Sequence, residues 1–250
     1  MMKEKYNIRL LVKEDVNEIV NLVRISFDNT YLIPSIYRAK GIVDFISSEL
    51  ENPFSPYRYF VLWDKNTIAG YAEYKIFEST STAFLNIISV NSEYKNKGIG
   101  RILYDYCKNY FIENGLKKVA LDVYESNTIA FNWYSKLGFQ KLSSTSLSKI
   151  NFKLEKKISK VYIQNYSQFK ACYELYGFYF LDIVYGKNNS KLGIIDNDIF
   201  IRNNYCDDLM DQLPFLLKTL KLENLYFLGN SNDDVRFKFI DTIIRMELNI

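Results

Sequence analysis

Histidine is missing from this 250-residue chain. Its absence removes the Ser-His-Asp triad, the Cys-His dyad and every histidine-ligated metal centre. Cysteine is nearly missing as well: Cys107, Cys172 and Cys206 are an odd, widely separated set. That spacing is neither a metal motif nor a disulfide framework, so no metal is expected, and a reducing cytoplasm is the expected compartment. No apolar run reaches the length of a membrane span, and the opening MMKEKYNIRL lacks the apolar stretch of a secretory signal. A charge excess is also lacking. Thirty-two Lys and Arg against 29 Asp and Glu leave +3, scattered rather than striped. This gives no reason to expect nucleic acid or membrane as a partner.

What is present is an ordinary soluble composition, 48% hydrophobic and 24% charged, in a chain long enough for two modest domains or one large one. The patterning predicts a strand over 6–11 and a helix with Val12, Val16, Ile19, Val20, Val23 and Phe27 on one face. A short helix over 42–50 follows, then a hairpin of 57–63 and 67–77, and a strand over 83–90. After Gly98 a helix is expected, with Ile99, Leu103, Tyr106, Cys107, Tyr110 and Phe111 as its apolar stripe and Gly115 as its stop. A strand over 119–123 leads to a helix over 127–137 that turns Ile129, Ala130, Trp133 and Leu137 inward. Segments 139–144 and 149–154 are expected to pair and close the sheet.

The charged run Lys153–Lys160 reads as a boundary, which divides the chain into units 1–156 and 161–250. In the second unit a helix ending at Gly177 precedes a meander of 178–185, 191–195 and 198–202. A helix over 209–220 must begin or bend at Pro214. Strands are expected over 225–228 and 245–250.

Only ten glycines occur, and two of them stand in one turn, Lys95-Asn96-Lys97-Gly98-Ile99-Gly100-Arg101, between an apolar strand and an amphipathic helix. Glycines placed there let a phosphate approach bare N–H groups at the positive end of a helix dipole. The turn lacks the closing Lys-Ser/Thr of a Walker loop, and it lacks the third glycine and downstream acid of a dinucleotide fold. A second constellation follows: Asn127, Ala130, Tyr134 and then Gly138-Phe139, at offsets of three and four.

Together the two motifs resemble the cofactor core of the GNAT superfamily, the acyl-CoA-dependent N-acyltransferases. The first family signature, Arg/Gln-x-x-Gly-x-Gly/Ala, is met with Lys95 in place of Arg or Gln; the second is met at every marked position. The resemblance implies a mixed, mostly antiparallel α/β sheet flanked by helices in unit 1–156, and acetyl-CoA as co-substrate. It implies that main-chain groups of 95–101 hold a diphosphate and that Ile88-Ser89-Val90 ends a strand that splays beside the pantetheine arm. Asn127 would bond the pantetheine amides, or cap its own helix, which is equally good chemistry. Tyr134 would be the general acid for the departing thiolate, against its plain reading as a core tyrosine. For the general base Asp122, Glu73 and Glu125 remain open, as does a water. The aromatics Tyr31, Tyr37, Phe54, Tyr57 and Tyr59 fall where the family lines its acceptor pocket, though core packing accounts for them slightly better.

The expected acceptor is a small-molecule, peptide or protein amine, and pairing of two copies is common in the family. A CoA-sensing module without catalysis, and a tandem transferase using another acyl donor, are the alternatives. Unit 161–250 has no Gly-x-Gly turn. It is expected to bind no CoA, to help shape the acceptor pocket or mediate association, and to be a degenerate second half.

Overall fold

The computed structural model describes residues 6–151, 161–202, 207–229 and 236–250. The boundary expected at Lys153–Lys160 lies outside the described residues. The first half runs β1 (Asn7–Leu10), α1 (Val16–Ser26), α2 (Ile42–Glu51), β2 (Tyr57–Asp64), β3 (Thr67–Phe77), β4 (Thr82–Val90), α3 (Ile99–Glu113), β5 (Lys118–Tyr124), α4 (Thr128–Lys136) and β6 (Gln140–Ile150). The second half runs β7 (Val161–Ile163), α5 (Tyr166–Tyr176), β8 (Phe178–Tyr185), β9 (Asn188–Ile195), β10 (Asp198–Arg202), α6 (Asp207–Met210), α7 (Leu213–Leu220), β11 (Asn224–Leu228) and β12 (Phe237–Asn249).

All twelve strands form one sheet, in the order β1-β2-β3-β4-β5-β12-β6-β11-β10-β9-β8-β7. The pairings are antiparallel except β4–β5 and β10–β11, so the mostly antiparallel α/β class is met. Counted inward from either edge, each half contributes five of its own strands. Next comes a strand of the other half, and only then its own last one. β12 thus pairs with β5 from Ile243–Tyr124 to Asn249–Lys118, and with β6 from Phe237–Ile150 to Glu247–Gln140. The expected pair of 139–144 with 149–154 is corrected here. Residues 140–150 are one strand, and the partner that closes the sheet comes from the end of the second half.

Apolar periodicity explains where the helices lie. Val16, Ile19, Val20 and Val23 of α1 and Ile42 and Ile46 of α2 cover Tyr59, Val61, Tyr71 and Ile87 on one face. Ile99, Leu103, Tyr104, Cys107 and Phe111 of α3, with Tyr134 of α4, cover Leu62, Ala72, Tyr74, Leu85 and Val119 on the other. Three positions differ from the sequence pattern. Val12 and Tyr106 are exposed, with Tyr104 taking the buried place, and Ile129 is 85% exposed while its neighbour Ala130 packs on the core.

The halves meet through the connection between α1 and α2. A Cβ on Gly41 would lie 2.2 Å from the Leu175 carbonyl oxygen, so only glycine fits. Its N–H donates to the Tyr176 carbonyl at 3.0 Å. Arg38 adds an ion pair to the buried Asp198 at 2.7 Å.

Candidate active site

The turn after β4 is built from short local bonds. Asn91 accepts from the Glu93 N–H at 3.1 Å and starts a single tight turn over Ser92–Tyr94. Asn96 (φ 61) and Gly98 (φ 78) then take the left-handed conformation, and Gly98 becomes the cap residue of α3. Asn tolerates that region and glycine enters it freely. A Cβ at Gly98 would meet no atom within 4 Å, so the space above the turn is open and backbone conformation is what calls for glycine. At Gly100 a Cβ would stand 3.6 Å from both Val90 and Trp133, tying the first turn of α3 to the end of β4 and to α4. The N–H groups of a helix's first turn have no acceptor within the helix. Among the described residues, those of Gly98, Ile99, Gly100 and Arg101 find no other main-chain acceptor. Lys95 and Lys97 flank the turn on the surface, while the Arg101 side chain is held by Asp105 at 2.7 Å.

Beside this turn the sheet forks. β4 and β5 pair at four positions, from Thr82–Lys118 to Leu85–Leu121. Beyond them Ile87–Val90 pair only with β3, and Asp122–Tyr124 pair only with β12. The cause is an extra residue in β4. Leu85 opposes Tyr74 and Ile87 opposes Glu73, so Asn86 is a bulge, and a bulge bends and twists its strand. Ile88, Ser89 and Val90 therefore present main-chain groups to the fork, and the buried Ser89 hydroxyl has no hydrogen-bond partner among the described residues.

On α4, Asn127 accepts from the Ala130 N–H at 3.1 Å, so its capping role is met in the fold itself. Tyr134 is 7% exposed, packed against Trp133 (ring centroids 5.0 Å) and Phe139 (5.6 Å). Burial, reinforced by Tyr104, pushes its phenol well above the usual value. The group is thus protonated throughout the neutral range and can donate.

The three candidate bases differ sharply. Glu73 is 3% exposed on β3, facing α1 and α2. It accepts from the Tyr37 hydroxyl, from the Tyr71 hydroxyl at 3.4 Å and from Asn86 Nδ2 at 2.7 Å. Burial raises its pKa above the ordinary carboxylate range, and those three donors only partly offset the rise. Asp122 is gripped by Arg245 through two contacts, 2.5 and 2.9 Å. Glu125 is exposed in the loop before α4. Sequence reasoning misses Tyr71 and Asn86 as partners of Glu73. The two-residue strand spacing of Tyr71 and Glu73 is a readable signal, whereas the bulge at Asn86 is not.

The aromatic group divides. Tyr37 and Tyr59 are buried, Tyr57 stacks on Tyr59 at 5.9 Å, and Phe54 is 90% exposed. Tyr31 instead lies against Tyr124, with ring centroids 4.9 Å apart, and bonds Ser126 at 3.1 Å.

Residues 16–139 match the sequence profile described as Acetyltransferase (GNAT) family. A Bacillus subtilis protein named as a ribosomal protein bS18-alanine N-acetyltransferase is 26% identical over 139 residues, spanning 56% of this chain and 83% of that protein. Two crystal structures are similar over the whole chain. One is of a Pyrococcus horikoshii protein designated an acetyltransferase (TM-score 0.69, 14% identity, 91% of its chain). The other is of a GCN5-related N-acetyltransferase from Sphaerobacter thermophilus (TM-score 0.65, 9% identity, 97% of its chain). At those identities the likeness is one of fold, and it takes in both halves. With its glycine turn, forked strands and capped α4 inside the matched segment, the chain belongs through residues 16–139 to the GNAT family of acyl-CoA-dependent N-acyltransferases.

Proposed function

We propose that this chain transfers an acetyl group from acetyl-CoA directly to an acceptor amine, with both substrates bound together. The observation that carries the reading is the fork between β4 and β5 opening beside the unpaired N–H groups at the start of α3. The residues fit the co-substrate: the open space over Gly98 and the donors of 98–101 suit a diphosphate, with Lys95 and Lys97 as flanking point charges. The edge of Ile88–Val90 suits a pantetheine arm, and a main-chain N–H there can polarise a carbonyl. Bound in this way, acetyl-CoA supplies an activated acetyl thioester to the amine.

The remaining chemistry is proton transfer. Tyr134, protonated and buried among Trp133 and Phe139, is the acid for the leaving thiolate. Glu73 is the base, acting through a hydroxyl or a water, since its raised pKa brings it closer to the working pH. Arg245 takes both oxygens of Asp122, so Asp122 is assigned to positioning Arg245.

The unit that works is 1–156 completed by β12, and 161–250 is a degenerate half without a cofactor site of its own. The acceptor is a primary amine. The B. subtilis relative is named for a protein alanine, which makes an α-amine a natural first substrate to assay. Free thiols at Cys107 and Cys172 support a cytoplasmic location. Calorimetry with coenzyme A, and thiol release from acetyl-CoA across a panel of amines, test the reading. Absence of saturable coenzyme A binding would sink it.

A further inference from the structure

Where the two halves share the sheet, the face under the α1–α2 connection holds a cavity of about 220 Å³. It is lined by Asp122 of β5, Ser143 and Thr145 of β6, Leu228 of β11, Arg202 of β10 and Arg245 of β12. Asp122 is the first β5 residue beyond the last β4–β5 pair, so the cavity borders the crotch of the fork. Arg245 also lies over the Phe84 ring at 4.7 Å, two residues before the bulge.

The charges do not balance. Arg245 occupies both oxygens of Asp122. Arg202 makes no hydrogen bond or ion pair among the described residues, and it lies close enough to Asp122, Arg245 and Tyr124 to feel each of them. The Tyr124 hydroxyl beside it is shielded from solvent and has no hydrogen-bond partner among the described residues. Asp241, which also acts on Tyr124, is already committed to the Ser126 hydroxyl and to the Thr242 N–H at 2.7 Å. Among the described lining residues, two guanidiniums against one carboxylate leave a single positive charge, and the hydroxyls of Ser143 and Thr145 add donors. A planar guanidinium with no partner in such a lining suits a bidentate carboxylate. One excess charge matches a carboxylate better than a phosphate dianion. The volume, that of roughly seven waters, suits a molecule of amino-acid size.

We propose that this cavity binds the carboxylate of the acceptor, so that the substrate is a small amine that also carries a carboxylate, held by Arg202 with its amine toward the fork. The inference rests on the acyltransferase reading, and it makes the second half part of substrate recognition, because β10 supplies the guanidinium.

The test compares matched pairs, alanine with ethylamine and lysine with cadaverine, by kcat/KM with acetyl-CoA. The native chain is expected to favour the amino acid of each pair by about 100-fold, carried mainly by KM. Arg202→Met should bring that ratio near one, and Arg202→Lys should restore about a tenth of it, since charge is kept and the fork geometry lost. Circular dichroism matching the native chain excludes misfolding as the cause. Ethylamine or cadaverine used as well as its amino acid overturns the inference and leaves the acyltransferase reading intact, and so does an undiminished ratio in Arg202→Met. If coenzyme A does not bind, the acyltransferase reading falls. Calorimetry of the twenty standard amino acids then decides the cavity alone: binding lost in Arg202→Met upholds it, and no binding overturns it.

Discussion

The parallel pairs β4–β5 and β10–β11 hold corresponding places, fourth and fifth from opposite edges of the sheet, and they end differently. β4 and β5 touch at four positions and part, while β10 and β11 stay together over all five, from Asp198–Asn224 to Arg202–Leu228. The difference traces to one residue. Asn86 bulges out of β4, whereas β10 meets β9 from Asp198–Ile195 to Phe200–Gly193 with no shift of register. The helix starts differ too. α3 begins on a left-handed glycine with first N–H groups that have no main-chain acceptor among the described residues, but α7 carries Pro214 in its first turn, which removes one such donor. A shared scaffold thus makes a cleft only where a strand pairing fails and a helix end is left uncapped.

The strongest way to break this comparison is to remove what the halves share. A chain ending at residue 236 lacks β12, whose Ile244 and Met246 are buried against β5 and β6. It is expected to lose cooperative unfolding in a thermal melt, and a surviving native-like transition would mean that the halves fold separately. Next in size, Tyr134→Phe should lower kcat about 100-fold. Coenzyme A affinity by calorimetry should stay within about threefold under the same proton-transfer reading.

The glycine turn gives a paired test. Gly98→Val must adopt φ near 78 or abandon the turn, so coenzyme A affinity should drop by about 30-fold, while Pro214→Ala at the other helix start leaves it untouched. Glu73 gives a pH test. Because burial raises its pKa, kcat/KM should climb as the pH rises through a window above 4.5, and Glu73→Gln should flatten that limb with about a tenfold loss. The same shift acts on stability with the opposite sign. The folded chain keeps a proton that the unfolded chain releases, so Glu73 lowers stability as the pH rises through that window. Lys95→Ala, removing one flanking charge, is expected to weaken coenzyme A by only about threefold.

Much of the first half is legible because its signals are local. α3 follows from its apolar spacing and its terminal glycines, and the 57–77 hairpin from its alternation. What stays hidden depends on distant partners. Nothing near β6 announces that its neighbour is β12, some ninety residues on. Asp122 reads as a free acid until Arg245, 123 positions later, is brought against it. Spacing alone puts Tyr106 rather than Tyr104 in the stripe of α3; the two flank the buried face, and only packing of Tyr104 against Trp133 and Phe139 decides between them. Periodicity puts Ile129 on the inward side together with Ala130, and only the folded chain shows that, of the two, Ala130 alone reaches the core.

The interleaved order of β5, β12 and β6 also sets a schedule for biosynthesis. A ribosome makes the first 150 residues, with the whole glycine turn and α4, long before the strand that seals them exists. Until β12 emerges, β5 and β6 expose unpaired edges that invite chaperones and proteases. The closed sheet is therefore withheld from a nascent polypeptide until synthesis has passed the residues of β12, which pair with β5 and β6 together.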